Sequence, residues 1–201
     1  SAMAIAEGFA VFSPDSTEDG ARDPEGRPCG KRWDFVAVGE RTNADLSFLR
    51  AVIEKTVPSL RPEGSDHRIF LTGISNGGFM TILVATHFPD LIAAFAPVAA
   101  GDPYGTAMDM STHPALERAM APGVFRDLET GRMIHEPGAA AAEAWPHERE
   151  WPAAPSGILP PFRQFHHRQD AVCDFSCMEK ARRQLVAHKY QDKGPFVLDG
   201  A

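Results

Sequence analysis

The stretch "IFLTGISNGGFMTILVATHFPD", residues 69–90, decides how the rest of the chain is read. Up to Ile74 it is a short apolar run of strand length; from Asn76 it takes on an apolar helical pattern that Pro89 ends. Between the two lies Gly73-Ile74-Ser75-Asn76-Gly77, a G-x-S-x-G sequence with a further glycine at Gly78. A chain that reverses this sharply forces the central serine into a strained backbone conformation. Glycines at minus two and plus two then keep neighbouring backbone clear. The hydroxyl stands exposed at the start of the helix, where the dipole and the next N–H favour a developing oxyanion. The pattern predicts Ser75 as a nucleophile and the Asn76 N–H as an oxyanion donor, with Gly73, Gly77 and Gly78 permitting the elbow. The plainer alternative is a glycine-rich turn with a structural serine; the flanking strand and helix weigh against it. A phosphate loop is set aside, because the G-K-[ST] ending and the G-x-G-x-x-G spacing are both lacking.

Outward from the elbow, apolar strand patterns alternate with helical ones. "FAVFSP" (9–14) reads as a short buried strand, followed by a polar loop to Trp33. "TNADLSFLRAVIEKTV" places Leu46, Leu49, Val52 and Ile53 on one helical face, with Thr42 or Asn43 to cap it and Pro58 and Pro62 to close it. After the elbow helix, "IAAFAPVAA" is a strand, then "FRQFHHRQD" another, "FSCMEKARRQLVAHKY" an amphipathic helix and "GPFVLDGA" a last strand. Strands separated by helices imply a mostly parallel α/β sheet flanked by helices. Residues 101–160 are rich in Pro, Gly, Ala and Met, without a sustained period, and read as a lid-like insertion. The whole, 1–201, fits a single domain.

A serine nucleophile needs a base and an acid to orient it. Asp170 ends the strand "FRQFHHRQD" and is the expected acid; its competitor Asp174 reads as a helix cap. The base is harder to find. His188 lies in a surface helix, His166 and His167 precede the acid and point to opposite faces, and His87 sits at a helix end. His113, His135 and His147 fall in the insertion, and nothing singles one out. His166, Met108, Met110, Trp145 and Trp151 are the candidate pocket residues, against the plainer reading of ordinary packing.

Composition narrows the partners. A net charge of −7 without a Lys/Arg cluster argues against nucleic acid, and no apolar run has the length of a membrane span. The opening "SAMAIAEGF" has no basic start or long apolar stretch, so it reads as no export signal, and the compartment stays open. Cys29, Cys173 and Cys177 lack zinc-ligand spacing and read as free thiols.

"GISNGGFMTILVATHFPDLIAAFAPVAAG" resembles the esterase family that includes polyhydroxybutyrate depolymerases and feruloyl esterases. "GFAVFSPDS" and "CGKRWDF" resemble a strand and a Cys/Trp loop of that family, and "HHRQDAV" its H-G-x-x-D-x-x-V segment, with His167 where glycine is usual. The resemblance implies an α/β-hydrolase cleaving small-molecule or polymeric carboxylic esters, with no metal or organic cofactor. It puts the acid on Asp170 and the family histidine on His166. It also implies that the H-G turn supplying a second oxyanion N–H, and the loop carrying the base, lie outside these residues. Two other readings stay open. One is an oligopeptidase-type serine peptidase; the other is a non-catalytic hydrolase-like module that assembles through a sheet edge, as a homo-oligomer.

Overall fold

A computed structural model of the chain describes residues 8–16, 18–19, 31–33, 35, 43–61, 63–104, 125–126, 133–135, 151–152, 157–170, 173 and 175–198. Strands β1 (Glu18–Asp19) and β2 (Lys31–Arg32) form a small antiparallel pair. Helix α1 (Ala44–Ala51) follows, started by Asn43, whose Oδ1 accepts a hydrogen bond from the Leu46 N–H at 2.9 Å. It runs without a break through a π-helical turn (Val52–Thr56) into α2 (Val57–Leu60).

Pro58 therefore does not close this helix as the sequence predicts. The Val57 N–H bonds back to Val52 O across the wider π turn, which loosens the backbone just before a residue that has no N–H to offer. The chain becomes extended only at Arg61.

The body is a four-stranded sheet of β3 (Phe70–Ile74), β4 (Ala94–Val98), β7 (Phe165–His167) and β8 (Phe196–Leu198), in that order and all parallel. Helix α3 (Asn76–His87) connects β3 to β4, and α4 (Phe175–Ala187) connects β7 to β8. β5 (Phe125–Arg126) and β6 (Met133–His135) pair antiparallel within the long excursion between β4 and β7. Each parallel step moves the same way across the sheet. Right-handed crossovers then put α3 and α4 on one face. Leu46 and Leu49 of α1, Ile82 and Leu83 of α3, and Ala181 and Leu185 of α4 share one buried cluster with Phe95 and Phe162 of the sheet.

Among the described residues no helix covers the other face. Phe70, Ile74, Phe196 and Leu198 expose about half or more of their area there, beside a groove of about 360 Å³ lined by Thr72, Ala96, Phe165, Arg163 and Lys193.

The expected buried strand at 9–14 is not formed. Those residues are irregular, and Phe9 (53% exposed) and Val11 (64%) lie largely in solvent. Phe9 sets its ring edge-to-face against Phe70, centroids 6.0 Å apart. A short apolar run without a period says nothing about which neighbour will bury it.

Candidate functional site

The elbow is where steric demand is greatest. Ser75 has φ 52 and ψ −119, a left-handed conformation that a side chain adopts only under constraint. Its N–H donates to Val98 O at 2.9 Å, tying the turn to β4, and its C=O accepts from the N–H groups of Gly78 and Phe79. Ser75 is exposed, and nothing among the described residues hydrogen-bonds its hydroxyl.

The three glycines are not equivalent. A Cβ on Gly73 would press into the Gly77 carbonyl, 2.5 Å from its carbon, and one on Gly78 would meet Ala100 Cβ at 2.7 Å and Val98 O at 2.8 Å. A Cβ on Gly77 would meet nothing closer than Trp33 Nε1, at 4.0 Å. The crowding expected at plus two thus falls at plus three, because Gly77 contributes its carbonyl to the tight approach while its own side-chain direction faces open space.

Asn76 begins α3, so its N–H precedes the helical ladder and has no acceptor among the described residues. The side chain is committed elsewhere: Oδ1 accepts from Trp33 N–H at 2.8 Å, and Nδ2 donates to Trp33 O at 2.9 Å. Two residues further along the loop, Phe35 stacks on Phe79 with ring centroids 4.6 Å apart. This hold on Trp33 is a feature that sequence reasoning missed; the only signal was the Trp-containing loop itself.

Asp170 follows β7, which lies two places from β3 in the sheet, so its loop stands at the same edge as Ser75, roughly 10 Å away across the strands. Its Oδ1 accepts from the Cys173 N–H at 2.9 Å. Oδ2 lies 3.8 Å from His166 Nε2, too far for a hydrogen bond. His166 Nε2 instead donates to Cys173 O at 2.7 Å, while Nδ1 is buried without a partner. The His166 side chain is wholly buried, so it lines no pocket; it braces the turn that carries Asp170. Cys173 and Cys177 are buried beside Phe79 and Ala100.

Trp151 is also placed away from the elbow. It packs between Tyr104 (4.6 Å) and His188 (4.7 Å, stacked), and His188 follows the end of α4, roughly 20 Å along that helix from the Ser75 edge. His188 Nδ1 lies 2.9 Å from Gln184 O, the carbonyl one helical turn back. Asp102, after β4, is buried and accepts from the Tyr104 N–H at 2.8 Å and from the Trp151 indole. Burial pushes its carboxyl up to about 6 despite those two donors. Tyr104 O–H meets Thr86 Oγ1 at 2.6 Å. These groups form a polar clasp between α3 and α4. His87 ends α3, roughly 16 Å from Ser75 along the helix. Met108, Met110, Trp145, His113, His147, Asp174 and Cys29 lie outside the described residues, as does the side chain of His135.

No family model matches the chain. It is 30% identical over 161 residues to poly(3-hydroxyalkanoate) depolymerase C of Paucimonas lemoignei, covering 75% of this chain and 38% of that protein. The chain thus spans well under half the length of the curated relative it matches. Among solved structures, Arabidopsis thaliana SOBER1 aligns over 97% of this chain and 77% of its own, with TM-score 0.54 and 13% identity. An acylaminoacyl peptidase of Pyrococcus horikoshii aligns over 83% of this chain and 25% of its own, with TM-score 0.54 and 19% identity. At those identities the structures speak for the fold alone. Parallel sheet, serine turn and structural neighbours agree on the fold: the chain has the α/β-hydrolase fold and is similar in sequence to a poly(3-hydroxyalkanoate) depolymerase.

Proposed function

We propose that the protein is a serine hydrolase of carboxylic esters that works through an acyl-enzyme on Ser75. The observation that carries this is the backbone of Ser75, held at φ 52 by the close packing of Gly73 and Gly78. Strain of this kind persists only where the surroundings over-determine it, and here it lifts a free hydroxyl to the start of α3. The Asn76 N–H is the oxyanion donor, and Asp170 orients the imidazole that takes the Ser75 proton. His166 and His188 each hold a ring nitrogen against a backbone carbonyl; the base we assign to a residue outside the described ones, with His113 and His147 of the insertion among the candidates. Attack by Oγ on the ester carbonyl forms the acyl-enzyme and releases the alcohol. Water then releases the acid.

The depolymerase relative makes short 3-hydroxyalkanoate oligomers the first substrates to try. A fluorophosphonate probe with mass spectrometry tests the reading. An adduct on Ser75, absent from Ser75→Ala, together with cleavage of esters in preference to peptide anilides, supports it. A folded sample that takes no label overturns it for these residues.

A further inference from the structure

We propose that Trp33 is a substrate-facing wall of the Ser75 site, held in place by the Asn76 side chain, and that it restricts the site to compact apolar acyl groups. The proposal rests on the serine-hydrolase reading and adds the residue that sets its preference.

An asparagine at the first position of a helix has no backbone need to reach sideways. Asn76 nevertheless uses both ends of its amide on one residue, 43 positions earlier, at 2.8 and 2.9 Å. Both the N–H and the C=O of Trp33 are satisfied by this one side chain, which fixes that residue in place and orientation. Phe35 adds a second hold on Phe79, three residues on from Asn76 and therefore on the same stripe of α3.

The indole is then placed beside the first turn of α3, with Nε1 4.0 Å from where a Gly77 Cβ would be. Trp33 is half-buried and packs partly against the main core cluster. Gly77 is not needed for the elbow to close, and its missing side chain leaves a slot about one methyl wide between the indole and the helix. Gly77 is the second residue after Ser75 and follows Asn76, whose N–H has no acceptor among the described residues. A flat apolar wall with one N–H donor, a methyl's width from the helix, complements a short acyl chain and excludes a bulky one. Asn76 is thereby a positioning residue through its side chain, as well as the oxyanion donor through its backbone.

The test is the ratio of kcat/KM for 4-nitrophenyl butyrate over 4-nitrophenyl dodecanoate in the full chain. Trp33→Ala should lower that ratio about tenfold or more, the range a few methylenes in a pocket command. Asn76→Ala keeps its backbone N–H and should lower the ratio in the same direction. Gly77→Ala should raise KM for both esters by filling the slot. A role in packing alone would lower the melting temperature of Trp33→Ala and leave the ratio where it was; that result overturns the proposal.

A second measurement separates this from failure of the hydrolase reading. In the Ser75→Ala protein, N-(4-nitrophenyl)butyramide should shift the Trp33 indole N–H resonance. A shift without any Ser75 labelling in the unsubstituted protein keeps the wall and discards the hydrolase. An unmoved resonance overturns the wall.

Discussion

The turn after β3 and the turns after β4 and β7 leave the same edge of one sheet and are held by opposite means. The β3 turn is closed by missing side chains: Gly73 and Gly78 let backbone pass where a Cβ would collide, and Ser75 is left strained and exposed, its hydroxyl without a hydrogen-bond partner among the described residues. The other two are closed by carboxylates. Asp102 accepts from the N–H two residues on, and Asp170 from the N–H three residues on. A turn made by steric exclusion leaves its polar groups unspent and available to a reaction. A turn made by hydrogen bonds has spent them.

Substitution at Gly73 should give the largest effect. Gly73→Ala drives a methyl into the Gly77 carbonyl, and Gly78→Ala drives one into Ala100 and Val98 O. Relief requires backbone movement, so each should cost on the order of 3 kcal/mol or more in denaturant unfolding and abolish Ser75 labelling. A stable, labelled Gly73→Ala protein would break the steric account of this turn.

Next in size is the pH dependence of the β4 turn. The folded-state pKa of Asp102, about 6, lies above its ordinary 3.8, so the folded protein binds this proton more tightly than the unfolded chain does. The contribution is complete below about pH 4 and is lost as pH rises to about 6, amounting to roughly 3 kcal/mol. Unfolding free energies of the unsubstituted protein should therefore fall, relative to Asp102→Asn, between those two values. Parallel curves would show that the carboxylate is better solvated than its burial implies.

A smaller effect is expected at His166. Replacing it with phenylalanine strands Cys173 O but also removes a buried, unpartnered Nδ1. The net loss should be about 1–2 kcal/mol. Were His166 the base, labelling of Ser75 would vanish in a variant that unfolds only slightly earlier. If it braces the turn, labelling slows only as far as Asp170 shifts. Gly77→Ala should change stability least: with 4.0 Å to the nearest atom, the methyl fits, and losing a helical glycine offsets any packing cost by up to about 1 kcal/mol.

Steric turns are more legible in a sequence than polar ones. Gly73, Ser75 and Gly78 announce the elbow because only glycine satisfies such close approaches, and the flanking strand and helix carry their own apolar periods. The parallel sheet follows from the same alternation. Asp102 gives no such signal, since its clasp depends on Trp151, which is distant in the chain. For the same reason the sequence leaves Trp151 open between a pocket and ordinary packing, and the structure stacks it on His188 at the far end of α4. The 9–14 segment misleads in another way: its apolar side chains read as buried, yet Phe9 and Val11 lie largely in solvent. Asn76 shows how one residue divides. Its place at the start of α3 is readable from the motif, while its side-chain hold on Trp33 is visible only in the structure.

The contact between Tyr104 and Trp151 has a consequence for how such a protein diversifies. It brings the two ends of the 101–160 segment together on the body of the domain. The closure entropy of such a loop grows by only about 0.6 kcal/mol for each doubling of its length. Each added residue between those two rings therefore costs little closure entropy, whereas a single methyl at Gly73 meets a backbone carbonyl. Chain length there and geometry at the serine turn are under unequal thermodynamic pressure.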